Sequence, residues 1–83
     1  MSLDINLTRA LHAYGTITSK GSKENNTYVY QGVTAWSDFD GYTCYIQFNK
    51  VTLTLLFHGK YLLDYPSQSE LSLFLKKLNK LAS

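Results

Sequence analysis

The sequence predicts an α+β fold: a two-layer sandwich in which an antiparallel β-meander of three to four strands carries the N- and C-terminal helices on one face, in the order α-β-β-β-β-α. Three patterns carry this expectation. Residues 42–48 and 51–57 alternate apolar and polar positions about Asn49-Lys50. A two-residue loop there pairs Phe48 with Val51, Ile46 with Leu53, Cys44 with Leu55 and Tyr42 with Phe57, so that four apolar pairs share one face. The other face then reads Gln47/Thr52, Tyr45/Thr54 and Thr43/Leu56. Near the C-terminus, Leu71, Phe74, Leu75, Leu78 and Leu81 fall on one stripe at helical spacing. Near the N-terminus, Leu7, Ala10, Leu11, Tyr14 and Ile17 do the same. An antiparallel sheet with one apolar face buries it by packing helices on that side.

Taken in order, residues 3–20 predict a helix with Asp4 as N-cap and Gly21 as its stop. Gly15 and the β-branched run Thr16-Ile17-Thr18 weaken its second half, which ends or frays at Gly15 if packing does not hold it. Residues 21–26 are polar and read as a loop. Residues 27–31 form a short β-rich run ended by Gly32, and residues 33–41 are irregular or a weak strand. After the central hairpin, Gly59-Lys60 offers a tight turn into residues 61–65, and Pro66 ends the sheet. A two-residue turn there pairs His58 with Tyr61, Leu56 with Leu63 and Thr54 with Tyr65, leaving Tyr61, Leu63 and Tyr65 on the face opposite the core. A three-residue turn pairs Phe57 with Tyr61 and moves those three side chains into the core. The shorter turn is favoured because glycine suits its first position. Ser67-Gln68-Ser69-Glu70 is a capping box that starts the last helix, and Lys76, Lys77 and Lys80 fall on its far side and last turns.

With 83 residues, 45% of them hydrophobic and 17% charged, the chain is expected to form a single domain over residues 1–83 with one core. A net charge of +2 is too weak to imply a polyanionic partner. The lone cysteine, Cys44, lies on the core face of a strand and cannot form an internal disulfide, which suits a reducing cytoplasm. No run approaches the roughly 20 apolar residues that span a bilayer, and Asp4, Asn6 and Arg9 interrupt any signal-peptide core. A soluble cytoplasmic protein is the expectation.

No catalytic, metal or nucleotide-binding motif stands out. The most site-like segment is the Trp36, Asp38, Asp40 loop, where two carboxylates two residues apart sit beside a glycine and aromatic rings. Such a group binds a cation or supplies acid and base. The simpler reading is a turn, with aspartate capping backbone and Gly41 taking positive φ. His12 and His58 have no partner at ligand spacing, and a strand interior gives Cys44 nothing to form a thiolate. Neither catalytic residue nor metal nor cofactor is expected. Lysines on the outer side of a helix and rings on a sheet face opposite ways, which makes nucleic acid an unlikely partner.

Residues 32–43, read as Gly32-Val33-Thr34-Ala35-Trp36-Ser37-Asp38-Phe39-Asp40-Gly41-Tyr42-Thr43, with Val51-Thr52-Leu53-Thr54-Leu55 and Phe57-His58, resemble a family of small uncharacterised gammaproteobacterial proteins classed as a domain of unknown function. The resemblance implies one cytoplasmic domain with no assigned activity and no cofactor. It provides no functional residues to carry over.

The functional expectation is a small non-enzymatic bacterial interaction or regulatory module. It acts through an aromatic sheet surface of Tyr45, Leu56, His58, Tyr61, Leu63 and Tyr65, and forms a homodimer across it, because monomers seldom leave such a patch exposed. The alternatives are a small-ligand or catalytic site around Trp36, Asp38 and Asp40, and weak nucleic-acid binding through the C-terminal lysines.

Overall fold

The computed structural model describes residues 6–39, 41–56 and 59–82. The order is α1 (Leu7–Lys20), β1 (Ser22–Glu24), β2 (Thr27–Tyr30), β3 (Val33–Ser37), β4 (Cys44–Phe48), β5 (Val51–Leu55), β6 (Tyr61–Asp64) and α2 (Gln68–Ala82). The six strands form one open antiparallel meander in sequence order. The fold is α+β, with more strands than the three to four expected.

The central hairpin has the register its alternation demands: Cys44 opposite Leu55, Ile46 opposite Leu53 and Phe48 opposite Val51. Val33 and Ala35 of β3 join the same buried face, opposite Phe48 and Ile46. The segment expected to be irregular or weakly extended is therefore a central strand, because two apolar residues at period two pair directly with the most apolar strand beside them. Residues 21–26, expected to be a loop, contain β1. All three β1 side chains are exposed, so this strand forms by backbone pairing with β2 and leaves no alternation to read. Its Lys23 and Glu24 put charge on an open edge, which discourages pairing with foreign strands. Gln31 and Gly32 join β2 to β3 with φ of +52° and +80°, the pair of positive angles that a two-residue turn needs to follow the strand twist.

The β5–β6 connection corrects both expected turns. Leu55 lies opposite Tyr61, Thr54 opposite Leu62 and Leu53 opposite Leu63, so five residues rather than two or three connect the strands. The Leu56 N–H donates to the Lys60 carbonyl at 2.8 Å across this wider loop. Phe57 and His58 lie outside the described residues, and with them the expected pairs Tyr42/Phe57 and His58/Tyr61. Tyr61, Leu63 and Tyr65 consequently pack, half-buried, against the core, while Leu62 turns outward at 61% exposure.

Helix α1 buries Ala10, Ala13 and Ile17. The stripe is rotated from the expected one: Ala13 is inside and Leu11 is 55% exposed. Two alanines in that stripe let α1 approach α2 and the β2–β3 strands closely, and α1 packs most extensively against α2. The N-cap is Asn6, whose side chain accepts from the Arg9 N–H at 3.1 Å; Asp4 lies outside the described residues. The helix does not stop at Gly15. Burial of Ile17 holds its last turns, and the Thr16 and Thr18 hydroxyls donate to the carbonyls of His12 and Tyr14, satisfying groups that would otherwise compete with the helix. Gly21 ends it with an extended φ of −80°. Glycine is needed there for space: a Cβ would run into the Ile17 carbonyl oxygen and lie 2.7 Å from that of Val29.

Helix α2 buries Leu71, Phe74, Leu78 and Leu81, with Leu75 half-buried beside them. The capping box is half formed. The Glu70 N–H donates to the Ser67 hydroxyl at 3.3 Å, while Glu70 Oε1 is buried with no hydrogen-bond partner among the described residues. Both helices and the buried sheet positions make one cluster around Phe74, Ile46 and Leu53. Among the described residues, no helix is long and apolar enough to cross a membrane.

Two substitutions test this packing. Phe74→Ala should lower the unfolding free energy by about 3–5 kcal/mol in a urea titration, because it empties the centre of the α2 stripe. Gly21→Ala should destabilise by more than the ~1 kcal/mol of a typical point substitution, since backbone must move to admit the methyl group; unchanged stability would refute the close approach of α1 to β2.

Candidate functional site

The sheet face away from the helices is the least explained by folding. Continuing the observed register across it gives one row of Glu24, Thr27, Trp36, Tyr45, Thr54 and Leu62, and a second of Ser22, Val29, Thr34, Gln47, Thr52 and Asp64. Threonine dominates this surface because it keeps the β-branched shape that suits a strand and still offers a hydroxyl to water. The aromatic centre is Trp36 stacked on Tyr45, neighbours across β3 and β4, with ring centroids 5.1 Å apart and planes 12° from parallel. The Tyr45 hydroxyl donates to Asp38 Oδ1 at 3.0 Å. Strand register, ring stacking and that hydrogen bond together fix the pair in one geometry.

Asp38 leads into a tight connection between β3 and β4. Its N–H donates to the Thr43 carbonyl at 2.9 Å, and the Gly41 N–H donates to its carbonyl at 3.0 Å, with Gly41 at a φ of +78°. The backbone is thus the turn that the Asp-Gly pattern suggests, while the Asp38 carboxylate serves Tyr45. Asp40 lies outside the described residues. Phe39 projects fully into solvent and Tyr42 is 64% exposed. Trp36 and Asp38 therefore meet through Tyr45 on the open face. A hollow of about 270 Å³ lies on the other side of the loop, against Lys23, Tyr28, Ser37, Asp38 and Phe39.

The residues expected to form an aromatic interaction patch are divided. Tyr45 is on the open face, Leu56 is half-buried beyond the end of β5, His58 lies outside the described residues, and Tyr61, Leu63 and Tyr65 are on the helix side. That surface is corrected to one centred on Trp36 and Tyr45, with Leu62 in place of Leu63. The signal for Trp36 was available, since Val33-Thr34-Ala35-Trp36 alternates, but the Asp-rich turn that follows obscured it.

A second grouping was not visible in the sequence. Tyr14 from α1 reaches Cys44 and Ser37, with Tyr28 nearby. Burial, and then the neighbouring Cys44, push the Tyr14 phenol above its ordinary value, so it stays a proton donor at neutral pH. His12 is exposed on α1, and no group of three potential metal-ligating side chains occurs among the described residues.

The hydrogen bond to Asp38 pushes the Tyr45 phenol above the ordinary tyrosine value. Because the folded-state value exceeds the unfolded one, the neutral phenol stabilises the fold fully below about pH 10 and loses that contribution as pH rises through the folded value. An NMR titration of isotope-labelled tyrosines should find Tyr45 among the last to ionise, and Asp38→Asn should bring its midpoint down. A Tyr45 midpoint unmoved by that substitution would refute the pairing.

A family model described as "Protein of unknown function (DUF3081)" matches residues 5–83. No curated protein matches the chain, and no solved structure does.

Proposed function

The chain belongs to the DUF3081 family of proteins of unknown function, and we propose that it is a non-enzymatic interaction module that works through the open face of its sheet, pairing with a second copy across that face. The observation that carries this reading is the Trp36–Tyr45 stack, locked by Asp38 at the centre of a row that runs from Thr27 to the outward Leu62. Rings held rigid before binding lose little entropy on contact, and tyrosine and tryptophan offer large apolar area with a polar edge for a wet rim. A flat face that meets its own copy about a two-fold axis buries each side chain twice. The face is less oily than the patch expected from the sequence, since Leu63 and Tyr61 are turned inward, and its threonines suit a partner that associates and leaves. A bacterial cytoplasmic regulatory role is part of this reading, and a single cysteine, Cys44, suits a reducing compartment.

Sedimentation velocity at tens of micromolar should show a dimer. Leu62→Glu, at a position 61% exposed, should weaken it at least about tenfold by stranding two carboxylates in the interface, with the monomer keeping its native circular dichroism. A monomeric unsubstituted protein at that concentration would overturn the pairing.

A further inference from the structure

The sheet is open, and its two edges are finished differently. β1 closes one side with exposed residues only, among them the charged Lys23 and Glu24. β6 closes the other with Tyr61, Leu62, Leu63 and Asp64. It has a regular register and neither lysine nor proline within the strand, so it lacks the devices that keep foreign strands away. We propose that the β6 edge takes up an extended segment of a partner protein as an added antiparallel strand, with a cationic side chain of that segment opposite Asp64. This goes beyond the open-face reading and does not depend on it.

The ladder identifies which backbone groups remain on this edge. The Leu56 N–H donates to the Lys60 carbonyl, which makes those residues a hydrogen-bonded pair, and bonded and non-bonded pairs alternate from there. Thr54/Leu62 and Thr52/Asp64 are then bonded pairs, and Leu53/Leu63 is not. The two-residue turn between Phe48 and Val51 leads to the same result from the other side of β5. It aims the backbone of Val51, Leu53 and Leu55 at β4, and that of Thr52 and Thr54 at β6. The N–H and C=O of Leu63 consequently point away from β5, across an edge that no further strand occupies among the described residues. The Leu63 side chain packs against the core, so both groups are held in place before a guest arrives.

A donor and an acceptor on one residue of an antiparallel edge are answered together by one residue of an antiparallel guest. The side chain of that guest residue lies on the helix side beside Leu63, and its neighbours stand on the open side opposite Leu62 and Asp64. Leu62 is 61% exposed. Asp64 is exposed and has no ion pair among the described residues. The matching guest therefore alternates apolar and polar residues and sets lysine or arginine opposite Asp64. A second copy of this chain matches less well. Two β6 strands paired about a two-fold axis at Leu63 would put Asp64 opposite Leu62 and leave the carboxylate without a cation.

The test is fluorescence anisotropy of the full chain against a labelled peptide that reads valine, lysine, valine, threonine, valine between flanking serines. Two further peptides carry one N-methyl group each, and another has glutamate for lysine. The unmodified peptide should saturate. N-methylation of the central valine, whose N–H meets the Leu63 carbonyl, should weaken binding at least about tenfold. N-methylation of the lysine, whose N–H points away from β6, should leave binding nearly unchanged. Asp64→Lys should weaken the lysine peptide about fivefold and strengthen the glutamate peptide, with a thermal melt to establish that the variant is folded. Failure to saturate, equal losses from the two N-methyl groups, or indifference to Asp64→Lys would overturn the proposal. So would an effect of Lys23→Glu in place of one from Asp64→Lys, which would move the guest to β1. Sedimentation velocity showing that the peptide binds only by dissociating a dimer of the chain would assign the edge to a second copy and overturn it as well.

Discussion

Val33, Ala35, Ile46, Val51, Leu53 and Leu55 lie at alternating positions on three adjacent strands, and α2 lowers Leu71, Phe74, Leu78 and Leu81 onto them. That contact is the constraint on which the rest of the molecule depends. A strand side chain belongs to one face or the other, so committing these six residues to the helices also decides which residues face away. Trp36, Tyr45 and the threonine rows are outward because their neighbours are inward. The same holds for α2, whose Leu73 and lysines form an outer edge because four other residues of the helix are claimed by the core.

How well each element can be read in the sequence follows from how strongly its pattern breaks the symmetry between the two faces. The β4–β5 hairpin is legible because Asn49-Lys50 fixes the loop and every resulting pair on one side is apolar. Helix α2 is legible because its stripe is made wholly of leucine and phenylalanine. The β5–β6 register is not, for a specific reason. Leu55-Leu56 and Leu62-Leu63 are adjacent pairs, so sliding one strand by a residue exchanges one leucine for another and leaves the hydrophobic pattern almost unchanged. The wider loop wins over the two-residue turn because, as a three-residue turn would, it brings Tyr61, Leu63 and Tyr65 all to the core. Strand β1 is illegible for the opposite reason: none of its side chains is buried, and the backbone ladder to β2 leaves no hydrophobic alternation to read. The candidate surface inherits these limits. Tyr45 was placed by the legible hairpin, whereas Leu63 was exchanged for Leu62 by the illegible one.

The two sides of the sandwich have different physical character. The open face carries the stacked Trp36 and Tyr45 rings among threonine hydroxyls, with Glu24 and Asp64 on its outer strands. The outer edge of α2 carries the exposed Leu73 beside Lys76, Lys77 and Lys80.

The account rests on the β5–β6 register, because a slip there by any odd number of residues would return Leu63 and Tyr65 to the open face and remove the distinction between its two sides. Cross-strand proton–proton contacts measured by NMR on labelled protein read that register directly. They should place Thr54 opposite Leu62 and Leu53 opposite Leu63. Contacts that instead join Thr54 to Tyr65 and Leu56 to Leu63 would contradict the assignment of faces on which everything else is built.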